Sequence, residues 1–247
     1  MVGAPAAFDA VARARRLPKL RIGLHLVLVD GRPTLPPEQV PDLVDSNGCF
    51  RNNMLSAGIG FCVSPNRRRQ LGAEIEAQFE TYRATGLALD HVNAHKHYHL
   101  HPTISGLMLA IGRRYGLAAM RVPFEPARVV AMADPGLRPR VSYILASWAA
   151  LLRWRLRRRG VVVPDQIFGL AWSGGVTVKR LTGLLKHLPD GTTEIYVHPA
   201  TAGGFEGAVS YYRYADELAA LVDPAVRAAA EASGARLCGF ADLNTAG

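Results

Sequence analysis

From about residue 20 onward, short strand-like apolar runs alternate with segments whose apolar positions recur every three and four residues, the spacing of an amphipathic helix. The strand candidates are residues 20–29, 89–95, 118–123, 165–170, 192–198 and 235–240. Helical spacing shows in Leu71, Ile75, Phe79 and Tyr82, in Ile104, Leu107, Met108 and Ile111, and in Val178, Leu181, Leu185 and Leu188. Residues 142–160 and 214–234 read as two further helices, and 30–69, rich in Pro and Gly, as a long loop excursion. Such alternation predicts an α/β fold built on a parallel sheet or a (β/α) barrel. With no internal repeat and no low-complexity linker, residues 1–247 are expected to form one domain.

Composition fits a chain that folds on its own core, since 49% of the 247 residues are hydrophobic and 20% charged. Cys49, Cys62 and Cys238 are odd in number and widely spaced, which argues against a disulfide framework or a four-thiolate zinc site and for a reducing cytoplasm. Lys and Arg outnumber Asp and Glu by 29 to 20, a net charge of +9. Much of that surplus is local. No acid lies between Asp134 and Asp165, where Arg138, Arg140, Arg153, Arg155, Arg157, Arg158 and Arg159 fall. Within 142–160, Trp148, Leu151, Leu152, Trp154 and Leu156 accompany the arginines, the mixture found in helices at a lipid interface, although a barrel helix with an arginine-rich polar face has the same composition. Nucleic acid is not expected as a partner, because no recognition motif accompanies the basic patch. The longest apolar stretch, around Tyr143 to Leu152, is about half of the roughly 20 residues a spanning helix needs, and the start of the chain lacks the order of a signal peptide.

Five of the eight histidines, His91, His95, His97, His99 and His101, fall within eleven residues. Imidazole is the commonest metal ligand near neutral pH, and so dense a cluster reads as a site where one isolated histidine would not. If the strand stays extended through it, His95, His97 and His99 point to one side, one to bind metal and the others to contact substrate. His25 and His198 end two other strand-like runs, and each alone could equally be a hydrogen-bonded core histidine. In a parallel barrel every strand delivers its C-terminal end to one face, so His25, His95, Arg121 and His198 are expected to converge.

The runs Gly23-Leu24-His25-Leu26, Asn93-Ala94-His95-Lys96-His97-Tyr98-His99, Met120-Arg121-Val122-Pro123 and Thr193-Glu194-Ile195-Tyr196-Val197-His198-Pro199 resemble successive motifs of the YdjC-like carbohydrate deacetylases, and most of all their hopanoid-biosynthesis-associated branch. The similarity includes Phe168-Gly169-Leu170-Ala171-Trp172-Ser173-Gly174 and Tyr214-Ala215-Asp216-Glu217-Leu218. It implies an irregular (β/α) barrel that hydrolyses the N-acetyl group of an amino sugar with a divalent metal, Zn²⁺ or Mg²⁺, held by one Asp and two His. His25 and His95 occupy the two histidine positions. His198 is then the acid for the leaving amine or the group that orients it, Arg121 a holder of the acetyl oxygen or of a neighbouring carboxylate, or equally a structural ion-pair partner, and His97, His99 and Trp172 substrate contacts. The implied substrate is an N-acetylated glycolipid, met by a cytoplasmic protein in peripheral contact with the inner face of the membrane.

The resemblance also implies a first strand ending in Asp-Asp-Phe-Gly, whose carboxylates supply the third ligand and the base, and no such pair occurs here. Residues 1–6 instead resemble the end of the family's second strand, followed by a helix over 9–16, so the expectation is a barrel short of its first βα unit, ~30 to 40 residues. Asp30 and Asp90, the acids nearest His25 and His95, read as loop and strand-edge residues rather than replacements. The rival expectation is a non-catalytic glycolipid- or metal-binding protein.

Overall fold

The computed structural model describes residues 1–137, 143–202, 204, 205 and 207–243. The chain divides into two compact units. Residues 1–121, 155–163 and 238–247 form unit 1; residues 122–154 and 164–237 form unit 2.

In unit 1, α1 (Ala7–Ala14) precedes β1 (Leu24–Leu26), which runs parallel to β2 (Val92–Ala94) with Leu24 opposite Val92 and His25 opposite Asn93. Single parallel bridges continue the ladder from Val92 to Met120 and from Ala119 to Val162. All three residues of β2 are buried, as expected of a strand in a parallel sheet covered on both faces. The helix α3 (Pro65–Ala84) starts where the Ser64 hydroxyl accepts the Arg67 N–H and Pro65 occupies the first turn. It buries the stripe Leu71, Ile75, Phe79 and Tyr82. The helix α4 (Pro102–Gly112) does the same with Ile104, Met108 and Ile111.

The excursion 30–69 is more ordered than its Pro and Gly content suggests. It contains α2 (Met54–Val63), capped by the Asn53 side chain on the Ser56 N–H, and a 3-10 turn over Pro37–Gln39. Two buried polar residues of α3 secure the backbone at the start of the excursion and just before it. The Glu74 carboxylate accepts from Thr34 N and Leu35 N at 2.8 and 3.0 Å, and the Gln78 amide exchanges bonds with both the N–H and the C=O of Val27. Peptide groups running over a core are thus paired.

In unit 2, β3 (Gln166–Phe168) runs parallel to β4 (Thr193–Ile195) with Ile167 opposite Glu194, and Ile167 N donates to Phe124 O at 2.9 Å. The helices α5 (Ala127–Ala133) and α7 (Val178–Lys186), with α8 (Tyr214–Val222) and α9 (Pro224–Ala232), join Phe168 of β3 and Trp172 in a core that includes Val130, Leu181, Leu184 and Ala220. At Gly183 a side chain would meet Ala133 O at 2.5 Å, so glycine sets how closely α5 and α7 approach. The single helix read over 214–234 is two, because Pro224 cannot continue α8 and instead opens α9 behind the Asp223 cap. The basic helix is α6 (Tyr143–Arg157). Ser142, Arg138 and Arg140 lie outside the described residues.

No strand forms over 235–240. Asp90 instead holds the end of this stretch by accepting from Phe240 N and Ala241 N, while the Phe240 ring stacks on His91 at 4.3 Å. Among the described residues, no helix is long and apolar enough to cross a membrane.

Candidate active site

His25 and His95 stand at the same end of neighbouring parallel strands of unit 1, His25 within β1 and His95 directly after β2. Their ring centroids are 5.7 Å apart at 75°. The register of β1 on β2 puts Asn93 opposite His25, and the buried Asn93 side-chain oxygen takes a hydrogen bond from His25 Nδ1. A carbonyl oxygen only accepts, so the proton sits on Nδ1 and the Nε2 lone pair remains for a ligand. Burial lowers the His25 pKa to about 3, with the N-terminal ammonium, His95 and Arg121 adding smaller pushes in the same direction, so the imidazole is neutral.

On the His95 side stands Asp30, whose Oδ2 lies 3.9 Å from His95 Nε2 and pairs with Lys96 Nζ. The Asn52 amide, turned so that its nitrogen faces Asp30, donates to Asp30 Oδ1 at 2.9 Å and to Phe50 O at 3.2 Å. Asp30, Lys96 and His97 have φ of 52°, 50° and 54°, and they are the positive-φ non-glycine residues of the described chain. Such conformations cost on the order of 1–3 kcal/mol each and persist where the surroundings over-determine them, commonly at functional sites. Here they meet at one end of β1 and β2.

The left-handed residues correct the expected geometry of the histidine run. Extended backbone stops at Ala94 and the chain coils through 3-10 turns over His95–Leu100, so His95, His97 and His99 do not share a face by alternation. His99 is fully buried, and its Nε2 lies 3.0 Å from Arg121 O on the third chain of the ladder; a carbonyl partner makes the ring nitrogen the donor. Its pKa falls to about 3 through burial. This ring ties the histidine turn to residue 121 and is closed to a substrate, contrary to the expected contact. His97 is half-buried beside it, with ring centroids 6.1 Å apart. Arg121 is half-buried and close enough to His25 and His99 to lower both pKa values.

Asp90, the other acid near these histidines in sequence, is occupied by Phe240 N, Ala241 N and His91 Nδ1. Among the described residues, no group of three or more His, Cys, Asp and Glu gathers closely enough to hold a metal ion by itself.

Unit 2 carries the other expected residues. His198 follows β4, its side chain 36% exposed, with its ring 4.8 Å from that of Tyr212 and 5.4 Å from that of Tyr196. The carboxylate of Glu217, fully buried on α8, accepts from Val176 N at 2.9 Å and His198 N at 2.5 Å, and its Oε2 lies 3.8 Å from His198 Nδ1. A second carboxylate, Glu125, accepts from Gly169 N, Leu170 N and Ala171 N at 2.8–3.0 Å, while burial raises its pKa against the pull of those donors. Gly169 allows this turn with φ at +118°, where a side chain would strike Tyr196 O. Trp172, expected to touch substrate, is 3% exposed and packs in the core beyond the turn. Asn93, Glu125 and Glu217 are the residues that sequence reasoning passed over. The signal available for them was their place inside the family-like runs or, for Glu125, just after one.

The chain matches the YdjC-like protein family over residues 1–232. A carbohydrate deacetylase of Geobacillus stearothermophilus is 29% identical over 246 residues, 98% of this chain and 84% of the relative. Another, from Thermoanaerobacter pseudethanolicus, is 24% identical over 200 residues, 81% of this chain and 68% of the relative. Among solved structures, a candidate cellobiose-phosphate cleavage protein of Enterococcus faecalis V583 superposes with a TM-score of 0.72 at 22% identity, covering 98% of this chain and 85% of that one, and so shares the fold. With the two histidines on adjacent parallel strands and a family match across nearly its whole length, the chain belongs to the YdjC-like family.

Proposed function

We propose that this protein is a hydrolase that removes the N-acetyl group from an N-acetylglucosamine-type sugar carried on a hopanoid glycolipid, with Zn²⁺ or Mg²⁺ as cofactor. The observation that carries the reading is the His25–His95 pair, neutral at His25 and with the His25 Nε2 left for a ligand by Asn93. Relatives named carbohydrate deacetylase support the reaction class. An irregular (β/α) barrel is part of this reading.

Two imidazoles suit a divalent ion as nitrogen donors, and Asp30 is a carboxylate beside His95. When bound, such an ion supplies Lewis acidity to the acetyl carbonyl and a lowered pKa to the attacking water. Asn93 holds His25 in one tautomer, and Lys96 with Asn52 holds Asp30. Arg121 carries the charge suited to an acetyl oxygen that turns negative as the carbonyl is attacked. The amide nitrogen leaves poorly as an anion, so it must receive a proton, the role assigned to His198. Peripheral membrane contact through α6 completes the reading.

The test is acetate release from an N-acetylglucosaminyl lipid with Zn²⁺ or Mg²⁺ supplied, alongside metal content by mass spectrometry. Whatever metal the wild type binds and whatever acetate it releases should both be lost in His25→Ala and His95→Ala. Unchanged metal content in the two variants removes the pair from the metal. A protein that binds the glycolipid and metal yet releases no acetate is the non-catalytic binder of the rival expectation.

A further inference from the structure

The α2 helix presents an apolar face to solvent. Leu55, Ile59, Cys62 and Val63, spaced by four, three and one, fall on one side; Leu55 is 76%, Ile59 57% and Val63 73% exposed, and Cys62 is exposed too. The opposite side, Gly58, Gly60 and Phe61, is buried. This face is held in place rather than loosely attached. Asn53 caps the start, the Tyr98 hydroxyl donates to Met54 O at 2.7 Å, and the Arg68 guanidinium donates to Phe61 O and Cys62 O at the end.

Cationic side chains outnumber acids around the stripe: Arg51 and Arg67 line a pocket with Asp42 and Asp45, and Arg68 and Arg69 line one with Glu76. No acid occurs between Asp45 and Glu74, a stretch that includes Arg51, Arg67, Arg68 and Arg69. Arg51, Arg68 and Arg69 are exposed. Contiguous exposed aliphatic side chains mark a contact surface, and a cationic rim around them selects a negatively charged partner. A second copy of the chain would bring one set of arginines against another. A bilayer with anionic headgroups satisfies both halves of the pattern, as it does for helices that lie in the interface plane.

We propose that α2 is an interfacial helix that seats this face of unit 1 on a membrane rich in anionic lipid. The proposal goes beyond the deacetylase reading and depends on neither that reaction nor α6. Its bearing on function is position, because Asn52, just ahead of the helix, bonds Asp30, and Tyr98 of the histidine turn holds Met54. Seating α2 brings the His25–His95 pair near the headgroup layer.

The experiment is vesicle flotation of the full chain with phosphatidylcholine alone and with phosphatidylcholine plus phosphatidylglycerol. Wild type should float with the anionic vesicles, and Leu55→Ser/Ile59→Ser/Val63→Ser should need roughly tenfold or more lipid for half-binding. The pair Arg51→Gln/Arg69→Gln should lose the preference for anionic vesicles. A Leu55→Trp variant, whose fold the exposed site leaves intact, should show a blue-shifted tryptophan emission on anionic vesicles. Equal flotation of wild type and triple variant, or no shift from Leu55→Trp, overturns the proposal. So does light scattering that finds a wild-type dimer and a triple-variant monomer, since a second copy would then cover the stripe. Loss of acetate release with flotation intact would tell against the deacetylase reading alone.

Discussion

His25 donates its Nδ1 proton to the side-chain oxygen of Asn93, its register partner on the adjacent parallel strand. One backbone pairing therefore fixes both where the imidazole stands and which nitrogen is open. An outer partner of this kind typically contributes 10- to 100-fold to metal affinity. Asn93→Ala should lower Zn²⁺ affinity by about that factor in a calorimetric titration, while Asn93→Asp, which still accepts from Nδ1, should retain most of it. Wild-type affinity in Asn93→Ala would show that the tautomer is set by something else.

Asp30 allows a sharper separation of roles. At φ 52° it occupies a region that asparagine tolerates and alanine does not, while its carboxylate pairs with Lys96 and lies beside His95. Asp30→Asn should therefore weaken metal binding with little change in Tm, and Asp30→Ala should lower both. If Asp30→Asn binds Zn²⁺ as wild type does, the carboxylate serves the turn and not the ion.

Acid should destabilise the metal-free protein early. His25 and His99 have folded-state pKa values of about 3, below the ordinary value of 6.5, so between those limits the unfolded chain binds protons that the folded chain refuses. Stability is fully present above pH 6.5 and falls as pH drops toward 3, with each of the two histidines costing up to about 1.4 kcal/mol per pH unit. Denaturant midpoints measured across this window should slope accordingly, and His99→Gln should remove about half of the slope. A flat profile in wild type would mean that both rings take up protons without cost.

The sequence shows the helices whose buried stripes repeat cleanly, such as Leu71 to Tyr82 on α3 and Val178 to Leu185 on α7. It hides α2, because that helix exposes Leu55, Ile59 and Val63 and buries Gly58 and Gly60, the reverse of the usual contrast between faces. His25 and His95 are visible as strand-end residues, but the Asn93 partner depends on the register of β1 on β2, which no local pattern encodes. His99 is misread for a related reason. Its polarity suggests a substrate contact, whereas two left-handed residues before it rotate the ring into the interior.

His198 should act in turnover and not in metal binding. Its ring stands among Tyr196, Tyr212 and the buried Glu217, and the ion is assigned to other residues, His25 and His95. His198→Ala should keep its metal and lower kcat by about 10²- to 10⁴-fold, the usual contribution of a general acid. Loss of metal from this variant would place His198 among the ligands. Glu217→Ala is the accompanying control, because it strips the acceptor from Val176 N and His198 N and should cost about 1–3 kcal/mol of stability as well as rate.

The arginines of α6 divide into two groups that should behave differently on membranes. Arg153 donates to Asp165 O and lies over the Phe124 ring at 5.0 Å, and Arg157 donates to Val163 O at 2.6 Å, so both secure local structure. Arg155, Arg158 and Arg159 are exposed, as Arg157 is, on or just beyond a helix that also exposes Ile144 at 84% and Trp154 at 53%. A basic side chain near an anionic surface contributes about 1 kcal/mol, so replacing these three with Gln should weaken vesicle binding by roughly 10²-fold, with raised salt acting in the same direction on wild type. Arg153→Gln and Arg157→Gln should instead lower Tm and leave vesicle affinity nearly unchanged per molecule folded. Liposome flotation that is equal for wild type and the Arg155, Arg158 and Arg159 variant would remove α6 from the membrane and leave its basic end as a solvated helix terminus.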